Sequence, residues 1–271
     1  NGPVRAAPTL SLRAAARSLE LAIGAPVRAV SLLHSSGVAA EALGGEPAEL
    51  LEPALSRWLA DNSGGKAVLL PFFFGPSAAL TGYVPERLAA VKAKFPSARI
   101  ELARWLVEPG EDDPRIATAL GAAVRTVIAR EKLNRPKVLL VDHGSPQRDV
   151  AKVRDYLGAQ LTGMLGAEVE AVGVASMERR PGPEFAFNEP LLADQLRRSP
   201  FDSGDVVLAL QFLSPGRHAG AGGDIAAICA SARRERPDLR IWMTETIGRD
   251  ENAIGVLADR YRVAAGRIRH G

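Results

Sequence analysis

Val138-Leu139-Leu140-Val141-Asp142-His143-Gly144-Ser145 reads as a buried strand that carries a histidine into a tight, glycine-containing turn. A continuous run of apolar, branched residues is the pattern of a strand covered on both faces, as in a parallel sheet. Beyond it, Val150, Val153, Leu157, Leu161 and Met164 recur every three or four residues, so a helix over 147–165 has one apolar face. The alternation continues with a strand at 167–175, a helix near 187–197, a strand at 205–212 and a helix at 222–235. A strand at 238–243 and a closing helix at 249–266 complete it. Strands separated by helices of this length pair in parallel through right-handed crossovers, so the expected class is α/β.

The upstream sequence follows the same order. It reads as helix 9–23, strand 27–33, helix 46–60, strand 66–73, helix 83–94, strand 98–103 and helix 112–130. Short anchors superpose the two halves at an offset of about 140 residues. Glu52-Pro53 falls on Glu189-Pro190, Phe73-Phe74-Gly75-Pro76 on Phe212-Leu213-Ser214-Pro215, and Asn1-Gly2 on His143-Gly144. The spacing predicts a duplicated domain, 1–133 and 134–271, joined near Glu131-Lys132-Leu133-Asn134-Arg135-Pro136. Each copy is expected to hold a four-stranded parallel sheet flanked by helices, with flavodoxin-type winding. The numbering opens where the first copy's opening strand should end, so that strand is expected to be missing from it.

Composition excludes several classes. With 271 residues the chain has room for one large or two ordinary α/β domains. The net charge of +3 is small and dispersed, and no basic stripe with interleaved aromatics points to nucleic acid. Arg260, Arg262, Arg267 and Arg269 read as a solvated helix face. No apolar run approaches the roughly 18 residues of a membrane span, and no signal peptide is recognised, so a cytoplasmic location is expected. The single cysteine, Cys229, excludes an intrachain disulfide framework and CxxC metal sites; a buried, inert thiol is expected.

Of four histidines, His143 and His218 each follow a strand of the second half. The repeat puts Asn1 and Ala79 in their places, so the second copy is expected to be the working one. Loops at the C-terminal ends of parallel strands line the ligand crevice. The loop after the second strand, Ser176-Met177-Glu178-Arg179-Arg180, brings a carboxylate to the same rim. Two imidazoles and a carboxylate suit a divalent transition metal with open positions, and equally an acid–base pair. Plainer roles are a helix cap at His143-Gly144-Ser145, a backbone-bonded loop histidine at 218 and a surface ion pair at Glu178. Gly216, Gly220, Gly222 and Gly223 fit no phosphate-loop pattern. They read as a loop allowing close backbone approach to a flat or bulky ligand, with Asp224 as helix cap. His34 reads as structural, and His270 as part of a frayed tail.

The strand ending in His143-Gly144-Ser145, with Phe212-Leu213-Ser214-Pro215-Gly216-Arg217-His218 and Asp224-Ile225, resembles the sirohydrochlorin chelatase family (CbiX-like, class II tetrapyrrole metal chelatases) in its long two-domain form. The resemblance implies a cytoplasmic enzyme of cobalamin or siroheme biosynthesis that inserts a divalent metal without ATP or organic cofactor. The metal is Co²⁺ foremost, with Fe²⁺ or Ni²⁺ as alternatives, and the acceptor is sirohydrochlorin or a related tetrapyrrole. Carried over by position, His143, His218 and Glu178 hold the incoming metal and take the pyrrole protons. Ser145, Arg179, Arg180, Gly216 and Arg217 flank that rim and are expected to bind substrate, the arginines through its carboxylates. A chain with both lobes needs no second copy, so a monomer is expected. Long members usually carry the histidine pair in the first half; here it is in the second. That departure points to a divergent subgroup with its own substrate or metal; a non-catalytic metal or tetrapyrrole carrier is the alternative reading.

Overall fold

Every residue of Lys137–Asp142 is buried in the computed structural model, which describes residues 5–220 and 222–270. This strand is central because its apolar side chains need cover on both faces. Contacts gather the chain into two units. One runs to Leu106 and resumes at Ile254; the other is Val107–Ala253.

The first unit contains α1 (Ala6–Ile23), α2 (Leu51–Asp61), β1 (Lys66–Leu69), α3 (Val84–Lys94) and β2 (Arg99–Leu102). The second contains α4 (Arg115–Glu131), β3 (Lys137–Asp142), α5 (Arg148–Leu165), β4 (Ala171–Ser176), α6 (Leu192–Gln195), β5 (Gly204–Leu210), α7 (Asp224–Glu235) and β6 (Leu239–Met243). The closing helix α8 (Glu251–His270) starts in the second unit and continues in the first. It is helical to His270, where a frayed tail was expected.

In the second unit the four strands are all parallel, in the order β4-β3-β5-β6. The chain winds outward from β3 in both directions, so the topological switch point lies between β3 and β5. Ligand crevices open there, beyond the carboxyl ends of the two strands. On one face Leu139, Val141, Leu192, Leu196, Val206, Leu208 and Ile225 form the core. Val153, Leu157 and Leu161 of α5 are fully buried, as their spacing predicts.

The first unit does not reach the expected four strands: its described sheet is the parallel pair β1-β2. The stretch expected as a strand at 27–33 forms only an isolated parallel bridge, Ser31 to Leu50, and the second unit has the matching bridge Ser176 to Leu191. The same kind of bridge thus occurs in both units. The ladder differs because β4 bonds along its length to β3, whereas no described strand stands beside 27–33 in that way. Without that neighbour, Val30 and Leu32 still pack on the core of α2, α3 and β2, but among the described residues the backbone pairs only through the bridge at Ser31.

Two other expectations need correction. The helix near 187–197 is a 3₁₀ turn at Pro183–Asn188 followed by the short α6, because Pro190 can neither donate to a helix nor allow its predecessor helical angles. The compact units also do not follow the sequence halves. The join near 131–136 lies inside the second unit, since α4 buries Ile116, Leu120, Val124 and Val127 and packs on α5 and β5. Much of α8 belongs with the first unit, where Arg260 Nε donates to the Trp105 carbonyl (3.1 Å) and Arg267 meets Glu101 (3.0 Å).

Close packing of α5 on the sheet depends on Gly158, where a Cβ would lie 2.3 Å from Val174 Cγ1. Gly158→Val is expected to cost about 2 kcal/mol through overpacking, read from the midpoint of denaturant unfolding.

Candidate metal and tetrapyrrole site

The end of β3 is stitched to the end of β4. Met177 N–H donates to the Asp142 carbonyl (2.8 Å) and Glu178 N–H to the His143 carbonyl (3.2 Å). Gly144, at φ 88°, sits in the crossing, and a Cβ there would fall 1.9 Å from the Glu178 carbonyl oxygen. Only glycine allows both the left-handed backbone and the close approach.

Beneath the turn lies a buried polar network that sequence reasoning missed. Ser176 Oγ donates to Asp142 Oδ1 (2.6 Å), which also accepts from Gly144 N–H (3.2 Å). Arg154, buried on α5, donates through Nη1 to Ser176 Oγ (2.6 Å) and the Asn188 carbonyl (2.8 Å), and through Nη2 to the Phe187 carbonyl (3.2 Å). Burial pushes the Asp142 carboxyl above the usual carboxylate range, against the opposing pull of the Ser176 hydroxyl and the Arg154 charge. A signal was present: Arg154 falls inside the apolar stripe of α5, beside Val153 and Leu157. An arginine there must find buried acceptors.

His218 is held by the start of α7. Asp224 N–H donates to the Arg217 carbonyl (3.0 Å) and Ile225 N–H to the His218 carbonyl (3.2 Å), so backbone rather than a side chain covers these first helical donors. Gly223 makes this possible, because a Cβ would come within 2.8 Å of both carbonyls. The expected capping role of Asp224 is therefore corrected: its Oδ2 instead takes a hydrogen bond from His218 Nδ1 at 2.7 Å.

The two imidazoles meet edge to face, with ring centroids 4.5 Å apart and planes at 78°. His143 Nδ1 lies 2.9 Å from the Gly144 carbonyl, which can only accept, so that nitrogen carries the proton. With Asp224 holding the Nδ1 proton of His218, both rings present Nε2 as a lone pair. Carboxylate or carbonyl on one ring nitrogen is the usual way a ligating histidine is oriented. The side chains are 45% and 31% exposed, so ligand can reach them.

Glu178 joins from one side. Its Oε1 is 3.5 Å from His143 Nε2, and its side chain is 62% exposed. Among the described residues, no set of three His, Cys, Asp or Glu side chains is gathered as a ready metal cluster. The histidine pair is assembled, with Glu178 leaning on one member.

The other expected substrate residues divide. Ser145 is tied to Asn188 through its N–H (2.8 Å) and carbonyl (2.9 Å), while its Oγ accepts from Gln147 N–H (3.0 Å). Gly216 N–H closes the His218 turn onto the Ala219 carbonyl (2.7 Å). Arg179 is committed to the Arg180 and Gly182 carbonyls (3.1 and 3.0 Å) and to Glu189 (3.0 Å). Arg217 leans on Asp224 (3.5 Å). Arg180 alone of the three arginines keeps its guanidinium clear of such partners.

Outside this site, His34 is exposed, with φ 64°. Ala79 opens a π-helical turn (Ala79–Tyr83), so the counterpart of His218 has no donor. Asn1, the counterpart of His143, lies outside the described residues. Cys229 is buried on α7, and burial pushes its thiol up to about 11.

Two substitutions test this geometry. Gly144→Ala must separate the two stitched loops, so a stability loss of about 2 kcal/mol or more is expected in thermal unfolding. Asp224→Asn keeps size but weakens the orientation of His218; about tenfold weaker divalent-metal binding is expected by calorimetric titration.

Comparison with known proteins agrees with this fold. Residues 137–264 match the model of the CbiX family. No curated protein matches the chain. Among solved structures, SirB from Bacillus subtilis with Fe3+ is similar at a TM-score of 0.67 and 18% identity, covering 97% of this chain and 91% of that one. The sirohydrochlorin chelatase SirB from Bacillus subtilis subspecies spizizenii in complex with cobalt gives 0.66 and 16%, covering 96% and 90%. CbiX, the terminal enzyme for biosynthesis of siroheme in denitrifying bacteria, gives 0.59 and 15%, covering 94% and 92%. Among the described residues no helix is long and apolar enough to cross a membrane. The chain has the fold of the CbiX-like chelatases, and its residues 137–264, with both site histidines, are a domain of that family.

Proposed function

We propose that this protein inserts a divalent metal into sirohydrochlorin or a closely related tetrapyrrole, with His143, His218 and Glu178 as the working side chains. The observation that carries this is the pairing of two imidazoles whose Nδ1 atoms are both occupied, which leaves Nε2 as the free ring nitrogen of each. Supporting it are the family match over the same residues and the fold shared with chelatase structures, two of them with iron or cobalt.

In such a reaction the metal is a substrate. Two pyrrole N–H bonds break as the four ring nitrogens bind the metal, and two protons leave. His143 and His218 receive the ion through Nε2, and nitrogen donors of this kind bind Co²⁺, Fe²⁺ or Ni²⁺ reversibly, where thiolates would retain it. As the ion passes to the macrocycle the freed Nε2 atoms become proton acceptors. Glu178, beside His143 Nε2, offsets positive charge while metal or proton is there and passes the proton to solvent. Co²⁺ is the favoured metal, and no organic cofactor takes part.

The test is purified protein with sirohydrochlorin and Co²⁺ or Fe²⁺, followed by absorbance of the metallated product. A rate above the metal-only background is expected. His143→Ala and His218→Ala should each lower it at least about a hundredfold, and Glu178→Gln by about tenfold. Stoichiometric binding without turnover would instead identify a carrier.

A further inference from the structure

The arginines that remain open to a ligand are not mainly those beside the histidines in sequence. Arg148, the first residue of α5, lies over the ring of Phe187, 4.9 Å from its centroid. Arg180 lies over Phe185 at 6.0 Å. The two rings contact each other edge to face at 6.3 Å, so the four side chains form one continuous shelf. Its base is fixed by Asn188, which ties the 183–188 turn to Ser145, and by Arg154, which holds the Phe187 carbonyl. Arg148 leaves the same turn as His143, and Arg180 the same loop as Glu178. The shelf therefore borders the histidine site.

Structural duty does not account for these positions. A cation in the first turn of a helix faces the positive end of the helix dipole and is unfavourable there. Nor, among the described residues, is either guanidinium in an ion pair. Asp149 is taken by Lys152 (2.7 Å), Asp155 by Arg154 (2.7 Å), Glu189 by Arg179 (3.0 Å), and Glu178 faces His143 (3.5 Å). Among the described residues, the contacts that Arg148 and Arg180 make are to the phenyl faces. A guanidinium lying on an aromatic ring keeps its edge donors free and its plane oriented, which suits bidentate capture of a carboxylate.

We propose that Arg148 and Arg180, seated on Phe187 and Phe185, form a carboxylate-reading edge that binds two acid side chains of a planar polycarboxylate macrocycle and sets it over the histidine pair. This rests on the tetrapyrrole reading above and assigns the residues that recognise that substrate.

The test is binding of metal-free sirohydrochlorin, followed by its fluorescence. Arg148→Gln and Arg180→Gln should each weaken binding about tenfold, and the double variant about a hundredfold. Phe187→Leu, which keeps the charge but removes the seat, should weaken it about threefold. Arg198→Gln removes the same charge from the turn leading into β5, at the opposite end of the strands, and should change nothing. The same macrocycle with amidated carboxylates should bind the parent protein as weakly as sirohydrochlorin binds the double variant. Thermal unfolding of the variants should match the parent. Unchanged binding in both glutamine variants, or an equal loss in Arg198→Gln, would overturn the proposal, as would losses that track a lowered melting temperature. A parent protein that binds the macrocycle without metallating it sinks the chelatase reading and leaves this edge standing. A parent that metallates normally alongside unaffected variants sinks only the edge.

Discussion

The buried guanidinium of Arg154 holds the carboxyl end of the second sheet together. Its guanidinium joins α5 to the last residue of β4 and to the 183–189 segment, and through Ser176 it reaches Asp142 at the end of β3. Removing one partner of such a network leaves charge or carbonyls uncompensated in the interior, at a cost of roughly 3–5 kcal/mol. Both the histidine turn and the aromatic shelf hang from this network. Its polar groups are paired, so the loops above it have fixed positions, which a site for a flat ligand requires.

From that anchor the site follows in layers. The stitched β3 and β4 loops need Gly144 to cross, and the crossing holds His143 just beyond the carboxyl end of β3. The turn before α7 needs Gly223, which lets the helix take backbone carbonyls as its cap and releases the Asp224 side chain to orient His218. Each imidazole is thus set by a partner on Nδ1. The first unit repeats the scaffold, down to the parallel bridge at Ser31, but has Ala79 where His218 stands.

Much of this was legible residue by residue. The apolar run at 138–141 marked a central parallel strand because only burial on both faces tolerates it. The three-to-four spacing on α5 located its buried face. His143 and His218 stood out because each followed a strand in a repeat whose other copy lacked them. Other parts were not legible, for reasons of pairing and partner choice. Residues 27–33 have a strand's composition, but a strand exists only beside another. The 187–197 stretch has the apolar residues of a helix, but Pro190 interrupts it. Arg179 and Arg217 looked as available as Arg180, and only the fold shows that Glu189 and Asp224 occupy them.

By itself the sequence determined the α/β class, the internal repeat, the central strand and the identity of the two histidines. These follow from local periodicity and residue chemistry, which depend on near neighbours along the chain. Only the tertiary structure decided that α4 covers the second sheet, that both imidazoles have Nδ1 occupied, that Asp224 orients rather than caps, and that Arg148 lies over Phe187. Those outcomes turn on which distant groups satisfy one another's hydrogen bonds and charges, and that competition is settled only when the chain has closed on itself.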